Sequence, residues 1–110
     1  MNLDIKTTEI GASHYIVSLF GEIDAYTAPQ LKDTLLSLIE KQGQLIEVDL
    51  QQVNYMDSTG LGVFISALKS TKENGGEVRL IHLQERVRRL FTITGLDSVI
   101  TIDSTVRGGN

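Results

Sequence analysis

Apolar residues recur along the chain with two periods, and each change of period marks a new element. Leu3 and Ile5 alternate with polar neighbours, which predicts a first strand near residues 2–9. Gly11-Ala12-Ser13 reads as a turn. Tyr15 to Phe20 is a β-rich run ending at Gly21, so the first two strands form an antiparallel hairpin. Gly21 to Tyr26 is a polar loop. Thr27 and Gln30 have the spacing of a capping box, with Pro29 in the first turn. Leu31, Leu35, Leu38 and Ile39 then share one helical face, and Gly43 serves as terminator. Residues 45–50 read as a buried third strand. Leu61, Phe64, Ile65 and Leu68, at i, i+3, i+4 and i+7, predict a second helix over Ser58 to Asn74, stopped by Gly75-Gly76. Val78, Leu80 and Ile81 make a fourth strand. A third helix covers Leu83 to Thr94 with Val87, Leu90 and Phe91 inward and Gly95 after its end. Val99, Ile100 and Ile102 mark a short last strand, and residues 104–110 read as a frayed tail.

A strand, a helix and another strand imply a crossover with strands two and three parallel. The expectation is a single α/β domain over residues 1–110. It has a mixed sheet, an antiparallel N-terminal hairpin joined to parallel strands, and three to four helices. With 110 residues, one core is affordable and two are not. The net charge of −4 gives no basic face for nucleic acid. The absence of cysteine excludes disulfides and thiolate metal sites. No run of apolar residues is long enough to span a bilayer, and Met1-Asn2-Leu3-Asp4 lacks the features of a signal peptide. A cytoplasmic protein is expected, a monomer when free.

The stretch around which these elements are arranged is Tyr55-Met56-Asp57-Ser58-Thr59-Gly60-Leu61-Gly62. It joins a strand to a helix, so Ser58 falls at the helix N-terminus, where amides lack intrahelical partners and the helix dipole is positive. The plain role for Ser58 is a helix cap. Asp57 can cap by itself, however, which leaves Ser58 free to face outward as a phosphorylation site. Gly60 and Gly62 each weaken the first helical turn by roughly 0.5–1 kcal/mol. That makes sense where another protein's backbone must come close. A hydrolase elbow needs Gly-x-Ser-x-Gly with Asp or Glu and then His, and Met56 and Thr59-Gly60 break that spacing. A dinucleotide fingerprint fails because Ile65 stands where its third glycine belongs. His14 and His82 stand apart from any ligand cluster. Arg86, Arg88 and Arg89 read as a solvated helix face, with docking as the alternative. Glu22 and Asp24 precede the first helix at the same sheet end as Asp57-Ser58, which is where parallel sheets place their sites. They read as a solvated turn or as a contact for a basic partner.

Three motifs in order, Phe20-Gly21-Glu22-Ile23-Asp24-Ala25-Tyr26-Thr27-Ala28-Pro29, Tyr55-Met56-Asp57-Ser58-Thr59-Gly60-Leu61-Gly62-Val63-Phe64 and Arg89-Leu90-Phe91-Thr92-Ile93-Thr94-Gly95-Leu96, resemble the bacterial anti-sigma factor antagonists with a STAS domain. The resemblance is closest to the general stress response antagonists of Gram-positive bacteria, with the sporulation antagonists as the near alternative. It implies a protein that catalyses nothing and holds no cofactor or metal. The unphosphorylated form would bind an anti-sigma factor that is also a serine kinase, so releasing the sigma factor for stress transcription. The kinase, with its own ATP, would phosphorylate Ser58 and end the contact, and a metal-dependent serine phosphatase would reverse the modification. Asp24, Thr59, Gly60, Leu61 and Gly62 are then the expected partner contacts, with Asp57 positioning Ser58. From a different class, a STAS subunit of a transport or scaffold complex that binds nucleotide or lipid remains the alternative.

Overall fold

The computed structural model describes residues 2–103, so the tail expected over residues 104–110 lies outside the described residues. Its strands are β1 (Leu3–Gly11), β2 (His14–Ile23), β3 (Leu45–Met56), β4 (Glu77–Ile81) and β5 (Thr101–Ile102). Its helices are α1 (Ala28–Ile39), α2 (Ser58–Asn74) and α3 (Glu85–Thr94), and a single 3-10 turn spans Leu96–Ser98. The strands lie side by side in chain order. β1 and β2 are antiparallel; every later neighbour is parallel. α1 packs on α2, and Phe64 of α2 meets Phe91 of α3 edge-to-face at 5.8 Å. The three helices therefore cover one face of the sheet. On the other face β3 presents Glu47 and Asp49, with Glu47 Oε1 2.6 Å from His14 Nε2 and Glu47 Oε2 3.7 Å from Arg79.

Period-two burial explains the sheet. Tyr15, Val17 and Leu19 of β2, and Ile46, Val48 and Leu50 of β3, point into the helical layer and are buried, while their neighbours are half-buried or, at Phe20 and Gln51, exposed. β3 runs on to Met56, well past the run expected from its sequence. Its second half finds a partner because β2 also continues past Gly21, pairing Gly21 with Val53, Glu22 with Tyr55 and Ile23 with Met56. Gly21 makes that continuation possible. Its φ is +131°, and a Cβ there would collide with the Asn2 carbonyl. Gly21–Ile23 are thus strand, and the loop begins at Asp24.

β4 pairs β3 only as far as Asp49. Beyond that point the edge of β3 is covered by the start of α3, where the side chains of the N-cap residue Gln84 and of Arg86 donate to the carbonyls of Gln51 (2.8 Å) and Asn54 (3.4 Å). Unpaired strand carbonyls are thereby satisfied without another strand.

The helices differ from expectation in detail. α1 buries Leu31, Leu35, Leu38 and Ile39 as its spacing requires, but it ends at Ile39 and the chain reverses through left-handed Gln42 and Gly43. α2 has the expected bounds, yet its inner face is Gly60, Leu61, Val63, Phe64, Ala67 and Thr71. Ile65 is left 39% exposed, because small residues let α2 lie close to β3 and α1 on a face rotated from the one its larger residues define. α3 begins at Glu85 and buries Val87 and Phe91, with Leu90 half-buried, before Gly95 ends it in the left-handed conformation. Val99 lies outside the last strand and is exposed.

Phe91 is fully buried against Phe64. Phe91→Ala is expected to cost about 3–5 kcal/mol in urea unfolding. A loss below about 1 kcal/mol would mean that α3 is anchored elsewhere.

Candidate functional site

β3 delivers Asp57 to the start of α2 in extended geometry, with φ −109° and ψ −169°. Its amide donates to the Ile23 carbonyl at 3.3 Å, which extends the β2–β3 ladder by one more rung. Its Oδ1 accepts from the amides of Thr59 at 2.9 Å and Gly60 at 3.4 Å. Its carbonyl accepts from Gly60 and Leu61 at 3.0 and 3.3 Å. Asp57 alone therefore accepts from the amides of Thr59, Gly60 and Leu61 and places a negative charge at the positive end of the helix. The Ser58 side chain has no part in that cap, and Ser58 and Thr59 are exposed while Asp57 is half-buried.

The two glycines do different jobs. A Cβ on Gly60 would sit 2.5 Å from Met56 Cγ and 2.8 Å from Ile23 Cγ2. Gly60 is small so that the corner can pack on the ends of β2 and β3, which corrects the expectation that its size serves a partner. Gly62 has nothing within 4 Å of where a Cβ would lie, and it is exposed. Leu61 is buried in the core at 8% exposure.

The second strand-to-helix loop comes to the same end of the sheet. Asp24, expected as an exposed partner contact, is buried. Its Oδ1 accepts from the amides of Tyr26 and Thr27 at 2.9 and 3.1 Å, and its carbonyl accepts from Ala28 at 2.8 Å. The capping box expected from Thr27 and Gln30 does not form. Thr27 is already in helical geometry, and its hydroxyl donates to the Glu22 carbonyl and accepts from the Asp24 amide, both at 2.9 Å. Asp24 and Thr27 thus tie down a rigid turn whose tip is Tyr26, 86% exposed. Tyr26 was missed by sequence reasoning. A large aromatic at the centre of a polar loop was the signal available for it.

Between the two loops runs an open groove of about 520 Å³. Ala25, Ala28 and Pro29 form one wall and Thr59, Gly62 and Ser66 the other, with Lys32 and Asp33 of α1 also lining it. The structure therefore brings Thr59 and Gly62 together at one concave surface beside Ser58, and sets Gly60 and Leu61 beneath it. His14 bonds Glu47, and His82 Nδ1 lies 3.2 Å from Asp49 Oδ2. Among the described residues no three His, Cys, Asp or Glu side chains converge to hold a metal ion. Among the same residues no helix is long and apolar enough to cross a membrane.

Residues 5–109 match the STAS domain family. The chain is 46% identical over 102 residues to an anti-sigma-B factor antagonist of Listeria monocytogenes, spanning 93% of this chain and 90% of that protein. It is 45% identical over 109 residues to the anti-sigma-B factor antagonist of Bacillus subtilis, spanning 99% and 96%. Among solved structures, the unphosphorylated form of the anti-sigma factor antagonist SpoIIAA shares the fold with a TM-score of 0.78 at 20% identity, over 92% of this chain and 89% of that one. The phosphorylated form of SpoIIAA from Bacillus shares it with a TM-score of 0.72 at 19% identity, over 92% of each chain. The chain belongs to the STAS domain family, in its group of anti-sigma factor antagonists.

Proposed function

We propose that this protein is a phosphorylation-switched antagonist of an anti-sigma factor, and that Ser58 carries the switch. The observation that supports this most directly is the exposed Ser58 hydroxyl on a helix N-terminus that Asp57 already caps. The hydroxyl can be modified without removing a structural hydrogen bond. The unmodified corner, with Thr59, Gly62 and Tyr26 around the groove, binds an anti-sigma factor that is also a serine kinase. Gly60 and Leu61 set the backbone of that surface from below, and Asp24 shapes it by holding the Tyr26 turn. The protein acts by binding and catalyses nothing itself. Kinase and ATP are supplied by the partner, and a metal-dependent serine phosphatase restores the hydroxyl. As a free chain it is a cytoplasmic monomer.

A phosphoserine carries about −1.5 to −2 charges at neutral pH. Those charges sit well at a helix N-terminus, so the fold is left intact. In the complex, the phosphate beside Asp57 meets a surface shaped for a neutral hydroxyl, and desolvation with like-charge contact costs on the order of several kcal/mol. Each ~1.4 kcal/mol is tenfold in affinity. Ser58→Asp is therefore expected to weaken anti-sigma binding about 100-fold or more by calorimetry, with an unchanged melting curve. Ser58→Ala is expected to bind as wild type and to take no phosphate in mass spectrometry. Equal binding by Ser58→Asp and wild type, or phosphate on Thr59 instead, would contradict the assignment.

The glycines separate binding from stability. Gly62→Ala removes a helix-weakening residue without a clash and is expected to stabilise the fold by about 0.5–1 kcal/mol. It should nevertheless weaken anti-sigma binding about tenfold, by holding the partner's backbone off. Gly60→Ala is expected to destabilise by about 1–3 kcal/mol through Met56 and Ile23. Unchanged affinity in a stabilised Gly62→Ala protein would remove Gly62 from the contact.

A further inference from the structure

Of the described residues that line the groove, Lys32 and Asp33 of α1 alone carry charge. Both are exposed, and neither forms an ion pair among the described residues. The helix explains why. Adjacent positions on a helix do not face each other, whereas those three and four apart do. Lys32 has Ala28, Pro29, Leu35 and Leu36 at those spacings, and Asp33 has Pro29, Gln30, Leu36 and Ser37. None of them is charged. The α2 wall supplies no counter-charge either, since Thr59, Gly62, Val63 and Ser66 are neutral. Two opposite charges therefore stand side by side in the groove, and neither is neutralised by its neighbours on α1 or by the wall across from it.

We infer that Lys32 and Asp33 determine which anti-sigma factor this protein accepts, by fixing the order of charge on the partner segment that fills the groove: an acidic side chain facing Lys32 and a basic one facing Asp33. The inference deepens the function proposed above and rests on it. The occupant is that same anti-sigma factor, because the groove that holds Lys32 and Asp33 is continuous with Thr59 and Gly62 of the Ser58 corner. An exposed charge gains little from a matching partner, since water and salt screen it. A like charge in the same place costs more, because the groove is drier once filled. A mismatched partner is thus rejected more strongly than a matching one is held, which is how charge produces specificity. Two adjacent opposite charges also have a direction. A partner of unchanged net charge but reversed order meets two like-charge contacts, so the pair separates partners that bulk attraction treats alike. The phosphate on Ser58 then sets whether the partner binds, and the α1 pair sets which partner it is.

The test uses wild type, Lys32→Glu, Asp33→Lys and the exchange of Lys32→Asp with Asp33→Lys, which keeps the net charge at −4. Each unphosphorylated protein is titrated by calorimetry with the purified anti-sigma factor of the bacterium that makes it. Each single reversal is expected to weaken binding about tenfold and the exchange about 10- to 100-fold, with both losses shrinking as salt is raised. Melting temperatures are expected to stay near wild type, since both positions are exposed. Failure of the wild type to bind would remove the proposed function and this inference together. Binding by the wild type with equal affinity for the exchange variant would overturn this inference alone. So would losses that salt does not change, which would assign the effect to packing.

Discussion

One carboxylate sets up the functional corner. By accepting from the amides of Thr59 and Gly60, Asp57 closes the N-terminus of α2 on its own. A serine at the cap position would have its hydroxyl tied to the backbone. Here the cap and the hydroxyl are separate residues, so Ser58 faces solvent with no structural duty. The positive end of α2 stands behind it, ready to tolerate added negative charge. A switch that acts by surface charge alone needs this division of labour.

The corner stays in place because the strands beneath it are long. β2 and β3 pair as far as Ile23 and Met56, and the ladder continues into Asp57 through the Ile23 carbonyl. Gly60 lets the first turn of α2 rest on Ile23 and Met56, and the Asp24–Thr27 network fixes the neighbouring loop from its other side. Both sides of the corner are therefore held by hydrogen bonds and packing within the chain. A surface held in that way loses little entropy on binding.

Much of this was legible in the residues. Leu31, Leu35, Leu38 and Ile39 locate α1 by spacing alone, and the run from Ser58 to the Gly75-Gly76 stop defines α2, because both helices bury one apolar stripe. Asp57 as the cap followed from its position before that stripe. The far half of β3 was not legible: Gln51, Gln52, Asn54 and Tyr55 do not alternate, and they are strand only because β2 continues opposite them and because Gln84 and Arg86 cover the open edge. Asp24 was misplaced for a related reason. A carboxylate in a polar loop reads as exposed, and only the folded turn shows it bonded to the amides of Tyr26 and Thr27. The two glycines of the corner look alike in sequence, yet Gly60 is required by packing and Gly62 is open to solvent. Distances to distant residues decide that difference, and the local sequence does not contain them.

The central claim is that phosphate on Ser58 changes the surface and not the fold. Amide hydrogen exchange on stoichiometrically phosphorylated and unmodified protein tests it most directly. The account predicts equal protection across β2, β3 and α1, with differences confined to the first turn of α2. Loss of protection in β3 or α1 on phosphorylation would contradict it and would make the switch a conformational one.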